Sequence, residues 1–220
     1  MKSLGITTHF LTPLLSILLF SPHIEYALTI EELEPMIESQ NSEAIKAGGP
    51  EVISQLVMFY SKGNSDRRTK IASIFYSLGW KSEEAKAALM KDIKTENEPL
   101  RLQVQWALGR VSSDDEVVTN LLSNMRTDPN PLFRDKAACA LANDQIHLTD
   151  KQKAKLYEGV IEALGDEKDD VRRIAGLVMQ IQTGQTKGYN PQASSAEREK
   201  SINAWKSWLV EYKKAIADEK

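Results

Sequence analysis

Apolar positions along this chain fall into a frame that is used four times. Arg68, Arg101, Arg134 and Arg172 mark its register, at spacings of 33, 33 and 38 residues. Twelve residues before each arginine stand Leu56, Leu89, Leu122 and Val160. Three residues after it stand Ile71, Val104, Ala137 and Ala175, and seven after it Phe75, Leu108, Leu141 and Met179. Offsets of three and seven put an apolar stripe on one side of a helix. Self-similarity at a period of this size marks an array of stacked units, none of which can bury its apolar face alone.

The pattern predicts helices over 30–47 (with a break), 51–62, 66–78, 83–94, 99–110, 114–126, 131–143, 150–164, 168–182 and 195–217, and no convincing strand. Start signals fit these bounds. Thr29–Glu32, Ser113–Glu116, Thr149–Gln152 and Ser194–Glu197 match a capping box, in which two backbone N–H groups are satisfied reciprocally. Asn130-Pro131 reads as a cap followed by proline in the first turn. Gly63-Asn64, Gly79, Asp128-Pro129 and Gly165-Asp166 supply loops. Eight of the helices pair into hairpins over 51–78, 83–110, 114–143 and 150–182, and a longer connector near Asn143–Leu148 accounts for the wider last spacing. The expected class is all-α, an α-solenoid of about four stacked antiparallel hairpins with helical caps. Its divisions are 28–49 as an N-terminal cap, 50–183 as the array and 184–220 as a C-terminal turn and capping helix.

Within the units an acidic or Asn/Pro-containing turn leads into the arginine, then a small or β-branched residue. The clearest copies are Asp166–Glu167–Lys168–Asp169–Asp170–Val171–Arg172 and Asp128–Pro129–Asn130–Pro131–Leu132–Phe133–Arg134. They resemble HEAT-like repeats in their short bacterial form over roughly residues 50–183. The likeness weakens in the first unit, where Asp66-Arg67 precedes Arg68. The ankyrin T-P-L-H and tetratricopeptide W-x-x-L-G-x-x-Y patterns are absent. The tail carries Gly188-Tyr189-Asn190-Pro191, then a helix with Ile202, Trp205, Trp208, Leu209 and Tyr212. This turn and its Trp-x-x-Trp look like the C-terminal segment of exported bacterial HEAT-repeat proteins. A helix stripe at 202, 205, 209 and 212 suits a cap, because an end repeat has no neighbour to cover it.

The arginines have a structural reading first. Asp128 and Asp166 lie six residues before Arg134 and Arg172, so a guanidinium there can clamp the turn of its own or the next repeat. Lys62 and Thr95 hold that place in the first two units, which leaves the ladder incomplete.

Residues 1–27 have a different character. Lys2 precedes an apolar run from Phe10 to Phe20, followed by Pro22, with Ala27 as a cleavage residue. The run has the length of a signal-peptide core and falls short of the roughly 20 apolar residues a membrane span needs. Glu25 fits poorly at the position where a small residue is expected, so an uncleaved anchor or a buried N-terminal helix remains an alternative. The expected compartment is extracytoplasmic, periplasmic or secreted. A single cysteine, Cys139, allows no internal disulfide there.

The net charge of −3 comes with scattered basic residues, which argues against a nucleic-acid partner. Without its first 27 residues the chain keeps one histidine, His147, in a polar connector that reads as solvated. Cys139 lies in an Ala-rich helix and reads as a small packed residue. No C-x-x-C or H-x-x-x-H suggests zinc, no spaced acidic loop suggests calcium, and no glycine-rich phosphate loop is present. The sequence thus predicts no enzyme, no cofactor and no metal.

What it predicts instead is a protein partner on the concave face made by the second helices. The side chains one, two, five, eight and nine residues after each arginine point off the core stripe. They include Lys70, Tyr76, Gln103, Trp106, Arg110 and Lys136, with Trp106 as the leading interface anchor. Packing of Trp106 between repeats is the competing reading. A self-associating envelope component is the alternative function. The repeat resemblance also brings in bilin lyases, which work inside the cell and so fit an exported chain poorly; a shared scaffold carries no activity with it.

Overall fold

A computed structural model describes residues 28–218. The predicted signal segment over 1–27 lies outside the described residues. The chain is an α-solenoid of helical hairpins. Two short helices, α1 (Ile30–Glu38) and α2 (Ser42–Lys46), lead into α3 (Val52–Lys62) and α4 (Ser65–Leu78). Three further hairpins follow: α5 (Glu83–Met90) with α6 (Glu98–Val111), α7 (Asp115–Thr127) with α8 (Pro131–Asn143), and α9 (Asp150–Ala163) with α10 (Asp169–Thr183). The last helix is α11 (Ser195–Asp218).

The break expected within 30–47 falls at Gln40, whose φ of 53° is left-handed and ends α1. Helix 83–94 is shorter than predicted. Beyond Met90 the amides of Asp92, Ile93 and Thr95 bond three residues back, so the chain tightens into successive turns and aims Asp92 inward. The capping boxes at Thr29, Thr149 and Ser194 form. The one at Ser113 does not: α7 is entered through Asp114, whose amide bonds the Ser112 hydroxyl, and Ser113 is buried.

One continuous core runs from Leu33 in α1 to Leu209 in α11. Eleven of the twelve frame positions are buried in it: Leu56, Leu89, Val160 and all those after the arginines. The exception is Leu122, displaced from the core by Leu121, which is fully buried. Leu122 instead lies half-buried against Gly159 of α9, where a Cβ would come within 2.5 Å of its methyl group.

The second helices of the hairpins form the tight inner row. α4 packs on α6, α6 on α8 and α8 on α10, whereas the first helices touch each other less. Ala72, Ala107, Ala137, Ala138 and Ala175 are buried on these second helices, and small side chains let helix backbones approach closely. α4, α6, α8 and α10 thus form one continuous row through the array. Leu33, Ile37 and Ile45 cover α4 at one end. At the other, α11 lays Ile202, Trp205 and Leu209 over α9, and Trp208 sits 5.3 Å between ring centres from both Tyr157 and Tyr212.

Candidate functional site

The four repeat arginines all point forward along the solenoid. Arg68 donates to both carboxylate oxygens of Asp92, at 2.9 and 3.0 Å, and Tyr60 donates its hydroxyl to the same group at 2.7 Å. Burial, then Asp92 itself, pushes the Tyr60 hydroxyl far above the usual phenol range. Arg101, which is 3% exposed, donates to the Asp128 carboxylate and lies 4.0 Å over the Phe133 ring. Arg134 donates to Asp170 at 2.8 Å and to the carbonyls of Asp128 and Pro129 at 2.6 and 3.2 Å. Arg172 donates to the carbonyls of Asp166 and Glu167 at 2.9 and 2.8 Å, to Asp169 at 2.9 Å and to the Pro191 carbonyl at 3.2 Å.

Two sequence expectations change here. The residue six before the arginine contributes its backbone carbonyl, not its carboxylate, to its own repeat's clamp. The row is also complete in the first two units, because Arg68 and Arg101 take carboxylates from the following unit. These arginines are engaged in joining turns.

Three consecutive second helices create a groove of about 510 Å³. Ser73, Tyr76 and Ser77 come from α4, Gln103 and Trp106 from α6, and Cys139 and Asn143 from α8, with Asp144 closing one end. Trp106 is half-buried, packed against the core and among the residues lining the groove. Arg110 stands beside the groove, 4.6 Å over the Tyr76 ring. It donates to the Tyr76 hydroxyl at 3.2 Å and to Asp144 at 3.3 Å. Burial pushes the Asp144 carboxyl up, and Arg110 opposes that shift.

The structure thus gathers Tyr76, Gln103, Trp106 and Arg110 in one place. It does not bring in the other two candidates. Lys70 turns toward the N-terminal end, held by Glu38 at 2.8 Å and Asp66 at 2.9 Å. Its ammonium and Arg67 hold the Glu38 carboxyl below the ordinary range. Lys136 bonds its neighbour Asp135 at 3.1 Å. Ser73, Ser77, Cys139 and Asn143 line the groove too, at the same five- and nine-residue offsets, although Cys139 is expected from sequence only as a packed residue. Asp144 had no such signal, since it belongs to the connector.

That connector also corrects the reading of His147. It is not simply solvated: its Nε2 bonds the carbonyl of Gly79, at 2.9 Å, two units back. Gly109 allows this path, for a Cβ there would stand 2.9 Å from the Asp144 carbonyl oxygen and 2.8 Å from the Gln145 amide. The Cys139 thiol is half-buried and pushed up by that burial, then by Asp135, so it is held in the protonated, poorly nucleophilic form. Among the described residues no cluster of three or more His, Cys, Asp or Glu side chains could hold a metal ion. None of the described helices is long and apolar enough to cross a membrane.

Residues 54–142 match the family model described as HEAT repeats, which supports a HEAT-like repeat protein. The matched stretch takes in most of α3 and all of α4 to α7, reaching the end of α8; the fourth hairpin lies beyond it. No curated protein matches the chain.

Proposed function

We propose that this chain is a non-catalytic scaffold that binds a partner protein on its concave face, outside the cytoplasm. HEAT repeats commonly serve as protein-interaction scaffolds. The observation that carries the reading is the groove in which Tyr76, Gln103 and Trp106 meet Cys139 and Asn143. A half-buried tryptophan framed by amide and hydroxyl groups has the make-up of an interface anchor. Residues 50–183 form the binding array and the flanking segments cap it. The apolar run at 10–20 serves export.

Affinity capture from the extracytoplasmic fraction with the wild type, Trp106→Ala and Gln103→Ala tests the binding face. A protein captured by the wild type should be lost with both variants while their melting curves stay cooperative. Unfolding of Trp106→Ala together with undiminished capture by Gln103→Ala would sink the reading. N-terminal sequencing of the mature protein tests export.

A further inference from the structure

Every arginine among the described residues but one has a polar partner. Arg67, Arg68, Arg101, Arg110, Arg126, Arg134 and Arg172 pair with carboxylates, and Arg198 donates to the Ala193 carbonyl at 2.6 Å. Arg173, directly after the last repeat arginine, makes no ion pair or hydrogen bond with its side chain. It is exposed and lines a pocket of about 270 Å³.

This pocket is built rather than incidental. One wall is α10, with Leu177 left 45% exposed. The other is the turn through Tyr189 and Pro191, with Trp205 beneath. Gly176 lets the Tyr189 ring lie against α10, for a Cβ there would stand 3.1 Å from the ring. The Tyr189 hydroxyl is tied to the Leu164 carbonyl at 2.5 Å, and Arg172 holds the Pro191 carbonyl. A second cation lies nearby, next in sequence to the lining residue Thr186. Lys187 places its ammonium 5.7 Å from the centre of the Trp205 ring, and its side chain has no ion pair or hydrogen bond. Its backbone is left-handed, with φ at 50°, a conformation that glycine adopts freely and lysine does not. Strain of this kind gathers at ligand clamps.

We propose that this pocket receives an acidic segment of a partner protein, a carboxylate meeting Arg173 while a neighbouring apolar side chain lies on Leu177 and Tyr189. A guanidinium without a partner offers a carboxylate two parallel hydrogen bonds. Lys187 adds long-range attraction, and Ile181, 46% exposed one turn beyond Leu177, continues the apolar strip. The pocket extends the proposed concave binding face and rests on that reading for its use in the cell.

Fluorescence anisotropy of the intact protein with a labelled peptide of about six alternating Glu and Leu residues, roughly 20 Å when extended, tests it. Binding should saturate, weaken at least about tenfold in Arg173→Gln, and weaken similarly when the peptide's Glu residues become Gln. It should also fall with added salt. Lys187→Gly should weaken binding several-fold yet keep the fold, because the position suits glycine. Equal binding of the Gln peptide, unchanged binding by Arg173→Gln, or no saturation at millimolar peptide overturns the proposal. So does displacement of the peptide by equimolar inorganic phosphate, which would make this a small-anion site. Dimers in sedimentation that Arg173→Gln dissociates, without peptide binding, would assign the pocket to a second copy and also overturn it. Trp106→Ala should leave the peptide's binding intact. Partner capture lost with Trp106→Ala but kept with Arg173→Gln retains the groove and removes the pocket.

Discussion

Arg101 is the arginine on which the joint between the second and third hairpins should depend most. Replacing it with methionine keeps an apolar chain over the Phe133 ring and removes only the charge and its bonds. Asp128, 3% exposed, then loses its guanidinium but keeps the Asn130 amide, which donates to it at 2.9 Å. Breaking a buried pair by deleting one partner costs about 3–5 kcal/mol, and the surviving amide bond places Arg101→Met near the lower end. In a chain of this length that is a fall in melting temperature of about 6–12 °C. Asp128→Asn strands the guanidinium instead and should cost about as much. The double variant strands neither charge, so its cost should fall short of the sum by about 2–3 kcal/mol. Arg68→Met is the contrast: its side chain is 31% exposed, and solvent screening limits the loss to about 1 kcal/mol. Urea unfolding followed by circular dichroism, with calorimetry to check cooperativity, reads all four. A cost below about 1 kcal/mol for Arg101→Met, or additive single costs, would refute the clamp.

Burial pushes the Asp170 carboxyl up, but Arg134 and backbone amides outweigh this, so its folded pKa lies below the ordinary value. Its stabilisation is present above about pH 3.9, the unfolded value, and is lost as pH falls through the lower folded one. Asp170→Asn should therefore cost about 1 kcal/mol near neutrality, and urea midpoints of the two proteins should converge in strong acid. Gly109→Ala pushes a Cβ into the Asp144 carbonyl and should cost about 1–3 kcal/mol. Gly165→Ala, whose Cβ would meet nothing closer than 3.5 Å, should melt like the wild type.

The hairpins were legible because helical burial has a period that survives in the sequence, and the arginine fixed its phase. Leu122 shows the resolution of that reading. Leu121 and Leu122 are equally apolar, and only the packing of Gly159 on α9 decides which one faces inward. The partners of the arginines were harder to see for a related reason. Asp92 and Asp128 are aimed by turns in the next unit, and the tightening after Met90 that aims Asp92 has no strong residue signature. The family likeness overlaps the sequence reading only in part, since of its two clearest copies, in the third and fourth units, only the third unit's is matched. The matched stretch covers the first three hairpins and stops before the Asp166–Arg172 turn. Of the candidate site, the positions one face apart on successive helices could be inferred from offset alone. Lys70 and Lys136 shared those offsets but met acids close by, and Asp144 arrived from a connector whose path no periodicity encodes.

That connector has a bearing on how the array comes apart. In an ideal solenoid each unit touches only its neighbours, and stability is a sum of local contributions. Here the connector after α8 departs from that rule: His147 reaches the Gly79 carbonyl at the end of α4, and Gln152, in the first turn of α9, bonds the Ser113 carbonyl ahead of α7. The fourth hairpin is held to the third as well: Gln182 of α10 bonds the Leu141 and Ala142 carbonyls, and Arg134 pairs with Asp170. The first hairpin is thereby tied to the third across the second, and the fourth joins them through its first helix. A strap of this kind closes a row of neighbour contacts into a loop, so a break in one hairpin should be felt two units away.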